Sequence, residues 1–377
     1  MSLIFRLSWR NLFHDPLRFI ATIVGIVFSM ILVTVQMGLF VSFERMVTAV
    51  IDHAPADLWI VPSDTKCFED ASSVDDRDRF RALSVAGVVE AVPVVIGFSQ
   101  WRLAGGGTTP VFVVGSDLRS GGLAPWDVVA GSIAGLTIPG GVAVDQSYFD
   151  RLGVAGVGAG AEIRDHKVTV TAVTRGIRAF TTTPYVFTSL DQARSYVGTP
   201  PDKATYFLVR LAAGADAGSV RMALGAALSG AEVLTPAEFR DRSRSFWLFG
   251  TGAGAALFAG AVLGIIVGTI IVAQTLYSST KDHLIEFATL RAIGSSRGYI
   301  HKVIIRQALL SAAIGFAVAA AAGLAIVNAT ADSALPVVMT PLLTVGLFVL
   351  TVVMCVVSAS FAIVQVIRID PAVVFSR

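Results

Sequence analysis

The chain has 377 residues, of which 54% are hydrophobic and only 15% are charged, and its mean hydropathy is +0.72. A soluble domain of ordinary composition carries about 25% charged residues, and a disordered chain combines low hydrophobicity with high charge. The composition therefore excludes a disordered chain and argues against a purely soluble enzyme. It indicates an integral membrane protein with one water-exposed domain.

The formal net charge of +2 is unevenly distributed along the chain. Residues 44–245 contain 19 Lys and Arg against 22 Asp and Glu, which is a net charge of −3, so the remaining residues carry +5. A nucleic-acid-binding protein concentrates its basic residues on its soluble part. Since the polar part of this chain is slightly acidic, we expect no nucleic acid among its partners.

Four apolar runs are long enough to cross a bilayer, which takes about 20 mostly apolar residues. Basic residues flank these runs on alternating sides, and such flanks mark the cytoplasm. The pattern predicts cytoplasmic termini and a periplasmic location for the long polar region. In chain order, the predicted segments are an interfacial amphipathic helix (1–16), transmembrane helix 1 (17–41), a periplasmic α+β domain with helical stalks (42–245), transmembrane helix 2 (246–276), a cytoplasmic loop (277–302), transmembrane helix 3 (303–327), a short periplasmic loop (328–341), transmembrane helix 4 (342–367) and a cytoplasmic tail (368–377).

The predicted fold is therefore four transmembrane α-helices with a large α+β domain inserted between helices 1 and 2. Runs rich in β-branched and aromatic residues predict strands in that domain, at 58–61, 110–114, 168–173, 185–187 and 206–209. Helices are predicted at 191–197 and 217–228. The section 119–199 is a candidate for an inserted subdomain. Residues 44–51 and 236–244 are interpreted as helical extensions that form a stalk.

Transmembrane helix 2 carries a small residue at every fourth position, which lets two helix backbones approach closely in lipid. Two interpretations stay open for this ladder, a seam between two copies of the chain and ordinary helix packing within one chain. Its members are Gly252, Ala256, Gly260, Gly264 and Gly268.

The chain lacks the motifs of several enzyme classes. A nucleotide-binding P-loop needs a glycine immediately before its lysine, and none of the five lysines follows a glycine. The segment Gly294 to Gly298 matches the pattern of a hydrolase nucleophile elbow, but it lies in a predicted cytoplasmic loop rather than between a strand and a helix. We therefore predict no catalytic residue, no metal site and no disulfide. The spans also lack the buried Asp and Glu of an ion pump.

The cytoplasmic loop holds an amphipathic helix from Lys281 to Gly294. Its apolar residues share one face at helical periodicity, namely Leu284, Phe287, Leu290 and Ile293. Such a face suits docking in a groove on a soluble partner. A helix resting on lipid headgroups is the alternative.

The segment Glu286-Phe287-Ala288-Thr289-Leu290-Arg291-Ala292-Ile293-Gly294 resembles the cytoplasmic coupling motif of the MacB/FtsX-like permeases of ABC transporters. The tail Asp370-Pro371-Ala372-Val373-Val374-Phe375 is similar to the C-terminal ending of that family, and the order of spans matches it. Four short segments near the N-terminus are closer still to the DevC branch, namely Trp9-Arg10-Asn11-Leu12, Gly25-Ile26, Gln36-Met37-Gly38-Leu39 and Ala56-Asp57-Leu58-Trp59-Ile60.

This resemblance implies a homodimeric permease in the bacterial inner membrane, bound to a separate ATPase subunit that holds the ATP. The chain itself would then be no enzyme and would need no cofactor. DevC-like relatives imply export of a lipid-like or other hydrophobic cargo, together with a periplasmic membrane-fusion adaptor and an outer-membrane channel. The residues that the resemblance assigns to ATPase contact are Glu286, Phe287, Leu290, Arg291 and Gly294.

Three alternatives stay open at this stage. The first is an FtsX-like signalling protein that activates a cell-wall hydrolase, and the second is a permease that releases lipoproteins. The third is a receptor or scaffold that needs no ATPase. The binding partner of the outer domain would separate the first two, and dependence on an ATPase would exclude the third.

Overall fold

The computed structural model describes residues 16–282, 289 and 297–367. It divides into two compact units. Of the described residues, the helical unit contains Pro16–Val41, those within 255–331, and Pro336–Ile367. The outer domain contains Ser42–Gly254 and the short segment Asp332–Leu335.

The helices of the described residues differ widely in length. They are α1 (Pro16–Asp52), α2 (Arg77–Leu83), α3 (Phe149–Leu152), α4 (Leu190–Val197), α5 (Ala217–Ala227), α6 (Pro236–Ser245), α7 (Ala253–Asp282), α8 (Arg297–Thr330) and α9 (Pro341–Ile367). Four of them, α1, α7, α8 and α9, are long and apolar enough to cross a membrane. The predicted fold class is therefore confirmed, with an α+β domain between the first and second of these helices.

The strands lie in the outer domain. They are β1 (Leu58–Pro62), β2 (Val74–Asp75), β3 (Val88–Arg102), β4 (Thr108–Ser116), β5 (Val128–Gly131), β6 (Gly141–Asp145), β7 (Gly160–Ile163), β8 (His166–Thr174), β9 (Tyr185–Ser189), β10 (Lys203–Ala204), β11 (Tyr206–Leu211) and β12 (Ala231–Leu234). Ten of them form one sheet in the order β12-β1-β11-β3-β4-β9-β6-β8-β5, with β7 paired to β3 and β8. The pairs β4–β9 and β6–β8 are parallel, and the other pairs of this sheet are antiparallel.

The five strands predicted from β-branched and aromatic content are confirmed, as are the helices predicted at 191–197 and 217–228. The interpretation of 119–199 as an inserted subdomain is wrong. Strand β9 from this section pairs directly with β4, and β7 pairs with β3. Its strands therefore continue the same sheet.

The interior of the outer domain is built around large aromatic side chains. Trp59 is fully buried and meets the rings of Tyr206 and Phe239 edge to face, with ring centroids 5.9 Å and 5.2 Å away. Phe68 completes this cluster at 6.3 Å from Trp59. Edge-to-face contacts between aromatic rings add to the free energy gained from burying them. This cluster lies where β1 and β11 pair.

In the helical unit, close approaches show which helices run side by side. A side chain at Gly315 of α8 would meet Ile26 of α1 at 2.6 Å, and one at Gly323 would meet Thr34 at 3.4 Å. Since residue numbers rise together along both helices, α1 and α8 are parallel. The segment before α9 also contacts α1, where the Val338 N–H donates to the carbonyl of Gly38 at 3.3 Å.

Candidate functional site

The residues predicted to contact an ATPase lie outside the described part of the chain. This applies to Glu286, Phe287, Leu290, Arg291 and Gly294. Their role stays a prediction. The described parts that bear on function are the packing of α7 against α1 and the base of the outer domain.

Three members of the small-residue ladder face α1 within the same chain. A side chain at Gly268 would collide with the Oγ of Ser29, and one at Gly260 would meet the Nε2 of Gln36 at 2.6 Å. At Gly264, a side chain would meet Leu32 and Val33 at 3.2 Å. As the residue number rises along α7 it falls along α1, so the two helices are antiparallel.

The other two members of the ladder are placed differently. Gly252 lies before the start of α7 at Ala253 and has a φ of +77°, a conformation that L-residues other than glycine rarely adopt. The side chain of Ala256 is exposed in the isolated chain. The helix was predicted to begin at residue 246, and the positive φ at Gly252 explains why the structure begins it at Ala253 instead.

Hydroxyl groups join the helices where the glycines bring them together. The Ser29 Oγ donates to the carbonyl of Gly264 at 2.7 Å, and the Ser358 Oγ donates to the carbonyl of Thr269 at 2.9 Å. Hydrogen bonds of this kind between helices stabilise bundles in lipid, where apolar burial gives little driving force. Helix α7 is thus bonded to both α1 and α9.

Within the outer domain, two ion pairs join the C-terminal part of α1 to α6. We call these two helical segments the stalk. The Nε of Arg244 lies 3.2 Å from Glu44, and the Nε of Arg240 lies 2.9 Å from Asp52. The residue order shows that the two segments run antiparallel. Because Glu44 and Asp52 lie two helical turns apart, the pairs fix both the register and the direction of the stalk.

A row of aromatic rings crosses the same region. Phe180, in the loop between β8 and β9, lies 4.6 Å from Phe43 of α1 and 4.2 Å from Trp247 between ring centroids. Trp247 belongs to a single π-helical turn, Phe246–Gly250, that follows α6. Turns of this kind are rare and are often found at functional positions. The row therefore connects both stalk segments with the loop.

Glu69 receives hydrogen bonds from two aromatic side chains at this place. The Trp247 Nε1 donates to one of its oxygens at 2.8 Å, and the Tyr185 hydroxyl donates to the other at 3.0 Å. Burial raises the pKa of Glu69, while the two donated hydrogen bonds act in the opposite direction. The carboxyl group fixes the π-helical turn to the sheet, because Tyr185 begins β9.

Sequence reasoning did not find this group. Glu69 and Trp247 are far apart in the chain, and Trp247 lies at the start of the apolar run 246–276 that is predicted to form transmembrane helix 2. The positive φ at Gly252 separates the π-helical turn that contains Trp247 from α7. In the sequence, only the pair Thr251-Gly252 indicates this interruption of the helix. Among the described residues, no cluster of His, Cys, Asp and Glu has the arrangement of a metal site.

These contacts fix the two stalk segments to the rest of the outer domain. The stalk segments are held to each other by ion pairs, to the sheet by Glu69, and to the β8–β9 loop by contacts between tilted aromatic rings. Movement of either stalk segment therefore acts on the sheet through several directional contacts.

Comparison with protein families gives two matches that together span most of the chain. The model for a MacB-like periplasmic core domain matches residues 19–227, and the model for the C-terminal part of FtsX-like permeases matches residues 258–371. No curated protein matches the chain.

Two solved structures are similar to the outer part of the chain. The periplasmic region of MacB from Actinobacillus actinomycetemcomitans has 7% sequence identity and a TM-score of 0.39, and the match covers 51% of this chain and 94% of that one. The extracellular domain of the noncanonic ABC-type transporter YknZ from Gram-positive bacteria has 13% identity and a TM-score of 0.34, over 48% and 99% of the two chains. Because these scores are low, the assignment rests on the two family models.

Proposed function

Since the chain belongs to the family of MacB-like and FtsX-like permeases of ABC transporters, we propose that it passes the ATP-driven motion of a separate ATPase subunit to its periplasmic domain. The work done there would be export of a lipid-like or other hydrophobic cargo. The observation that carries this proposal is the order of the two matches, a periplasmic core domain followed by a permease C-terminal part. The DevC branch remains a resemblance of short segments.

The distribution of charge supports work on the periplasmic side. The membrane-spanning stretch Ala253–Ser278 of α7 contains no Asp, Glu, Lys or Arg, and the same holds for Pro341–Phe361 of α9. A path for a polar solute or an ion needs charged or paired polar groups at membrane depth. A cargo that is gripped by the outer domain needs none.

The stalk contacts support the transmission of motion. Ion pairs hold α6 against the end of α1, and Glu69 ties the following π-helical turn to β9. A shift of the stalk would then move the sheet as a whole. We propose that motion enters through Glu286, Phe287, Leu290, Arg291 and Gly294, with Phe287 and Leu290 filling a groove on the ATPase.

The proposed assembly has further members. Two copies of the chain would form a homodimer with two ATPase subunits, and a membrane-fusion adaptor and an outer-membrane channel would complete the path for the cargo. In this arrangement both termini are cytoplasmic. ATP is bound by the partner, so the permease needs no cofactor of its own.

The partners can be tested by purifying the tagged full-length protein from its native membrane in a mild detergent and identifying bound proteins by mass spectrometry. We expect an ATPase with a P-loop together with a periplasmic adaptor. Recovery of an ATPase with a cell-wall hydrolase and without an adaptor would replace export by signalling. Absence of an ATPase after cross-linking would contradict the proposal.

The contact itself can be tested with Leu290→Asp in the complex reconstituted in liposomes. A charge in the apolar groove should abolish the stimulation of ATP hydrolysis by the permease, because burying an unpaired carboxylate is very costly. Leu290→Met keeps the volume and apolar character and is the matched control. Equal stimulation by Leu290→Asp and Leu290→Met would exclude Leu290 from the contact.

A further inference from the structure

The loop between β8 and β9, residues 175–184, contains a buried arginine with no partner. Arg178 is only 8% exposed, and its Nε is buried without a hydrogen bond. Among the described residues, no carboxylate lies within 4.0 Å of its guanidinium group. Other buried arginine nitrogens in the outer domain, such as those of Arg240 and Arg244, belong to side chains that form ion pairs.

The buried Nε of Arg178 has lost its contact with water and no protein acceptor replaces it, which is costly. The buried carboxylate of Asp145 accepts hydrogen bonds from uncharged donors at the start of this loop. Its Oδ2 accepts hydrogen bonds from the Ile177 N–H at 2.8 Å and from the Thr174 hydroxyl at 3.2 Å. Asp145 therefore organises the start of the loop without forming an ion pair with Arg178.

A second arginine reaches the loop that contains Arg178. Arg151 reaches the same loop, where its Nη1 donates to the carbonyl of Thr182 at 2.5 Å and to its hydroxyl at 3.1 Å. Burial raises the pKa of the Tyr148 hydroxyl to about 12. The charge of Asp145 also acts to raise it, and the charges of Arg178 and Arg151 act to lower it. The loop also contributes the exposed Arg175 and has no acidic residue.

Side chains with hydroxyl groups follow the arginine within five residues. Residues 181–183 are three threonines, of which Thr181 is exposed. Guanidinium groups together with hydroxyl donors match the several oxygens of a phosphate group, for which arginine is the preferred ligand in proteins. The missing partner of Arg178 thus has the chemistry of a phosphate.

We propose that the β8–β9 loop binds a phosphate group, with Arg178 as its buried anchor and Arg175 and the Thr181 hydroxyl at its rim. Two sources could supply this group, a phospholipid headgroup and a soluble phosphate ester. The position along the chain favours the headgroup. The ring of Phe180 in the loop contacts Phe43, just beyond the predicted end of the first span at residue 41. It also contacts Trp247, just before α7 begins at Ala253.

The test uses the full-length protein in a maltoside detergent without phosphate, and it follows thermal unfolding of the outer domain by tryptophan fluorescence. One series adds sodium phosphate against sodium chloride at equal ionic strength. The other adds mixed micelles with phosphatidylglycerol against mixed micelles with diacylglycerol, which has the same acyl chains but no phosphate group. We expect phosphatidylglycerol to raise the midpoint of unfolding by about 2–4 °C, as ligand binding to a folded domain of this size does.

Arg178→Gln should remove this rise, and Arg178→Lys should retain part of it. Arg119→Gln, which removes an exposed arginine of the same domain, is the matched control and should keep the full rise. Without ligand, Arg178→Gln should unfold at the same temperature as the native protein or higher, because it removes an unpaired buried charge. If Arg178→Gln fails to fold, Arg175→Gln at the rim should still reduce the rise.

Each outcome decides the proposal. A rise with phosphatidylglycerol alone assigns the site to a lipid headgroup, and a rise with free phosphate as well, or with free phosphate alone, assigns it to the phosphate group of either source. No rise, or an equal rise in Arg178→Gln, overturns the phosphate site. The test needs no ATPase and no cargo, so its result is independent of the proposed export function.

Discussion

The outer domain and the helical unit are stabilised by opposite kinds of residue. The outer domain encloses large side chains, such as Trp59 and Tyr206, which are fully buried. In the helical unit, α7 and α1 approach each other closely at positions without side chains, namely Gly260, Gly264 and Gly268. In water, burial of large apolar surfaces drives folding. In lipid that force is absent between helices, so close backbone approach replaces it.

Polar groups differ between the two regions in the same way. The outer domain uses ion pairs between side chains, such as Arg244 with Glu44. The helical unit uses hydroxyl groups that donate to backbone carbonyls, such as Ser29 to Gly264. Unlike an ion pair, a hydroxyl brings no charge into the bilayer. The comparison predicts that the outer domain loses stability when large side chains are shortened. It predicts that the helical unit loses stability when a methyl group is added at a close helix contact.

The largest effect is expected from shortening a side chain in the outer domain. Trp59→Ala removes the centre of the aromatic cluster and should cost about 3–5 kcal/mol in the free energy of unfolding. Hydrogen exchange of β1 and β11 in the full-length protein should rise strongly. Phe80→Ala, at a side chain that is 63% exposed, should cost about 0.5 kcal/mol or less. Similar losses in both variants would contradict the role of the cluster.

In the helical unit, adding a single methyl group should be harmful. Gly268→Ala places a Cβ against Ser29 and should destabilise the protein by about 1–3 kcal/mol. Gly346→Ala in α9 is the matched control, since no atom lies within 4 Å of its Cβ position. This control should stabilise its helix by up to about 1 kcal/mol, as alanine generally does in place of glycine.

Thermal unfolding in detergent measures both changes. The opposite signs of the two substitutions exclude helix propensity as the cause of any loss. If Gly268→Ala were as stable as Gly346→Ala, the close approach of α7 to α1 would not be needed for stability.

The pH dependence of stability should separate two carboxyl groups of the outer domain. Burial raises the pKa of Glu69, so its contribution is fully present below the pKa of the unfolded chain and is lost as the pH rises through the raised value. A hydrogen bond from Arg242 lowers the pKa of Glu232. Its contribution is present above the unfolded pKa and is lost as the pH falls through the lowered value.

Glu69→Gln and Glu232→Gln should therefore change the stability curve in opposite directions, by at most about 1.4 kcal/mol per pH unit for each group. Unfolding of the native protein and both variants between acidic and neutral pH measures the difference. Curves that change in the same direction would contradict the assignment of a raised pKa to Glu69.

The smallest effect is expected at the ion pairs of the stalk. Glu44 and Arg244 have side chains that are 34% and 36% exposed, so solvent screens their attraction. A double-mutant cycle with Glu44→Gln and Arg244→Gln should give a coupling free energy of about 0.2–1 kcal/mol. Added salt should reduce it further. A much larger coupling that is insensitive to salt would show that the pair is shielded from water.

The sequence predicts the membrane-spanning helices and part of the sheet of the outer domain. Apolar length fixes which helices can cross a membrane, and β-branched content located five strands. Strand β3 was missed because Pro93 and Gly97 interrupt its pattern. Gly97 has no side chain because Val197 of α4 occupies the space where one would lie. Only the packed structure shows why a glycine belongs in that strand.

The candidate site was less predictable than the fold. The contact of Glu69 with Trp247 joins residues that are remote in sequence, and hydropathy alone places Trp247 in a membrane span. The unpaired state of Arg178 is likewise invisible in the sequence, since any arginine near Asp145 would be expected to form an ion pair with it. Both depend on where the chain brings side chains together.

The pairing of β1 with β11 and β12 has a consequence for biosynthesis. Strand β1 leaves the membrane soon after α1, but its partners end at Leu211 and Leu234. It must therefore wait, with unpaired edges, until nearly the whole outer domain has been translocated. Sheets of such non-local pairing form slowly, and unpaired edges are prone to aggregate. The delay between translocation of β1 and of β12 is thus the stage at which a periplasmic chaperone would protect this chain.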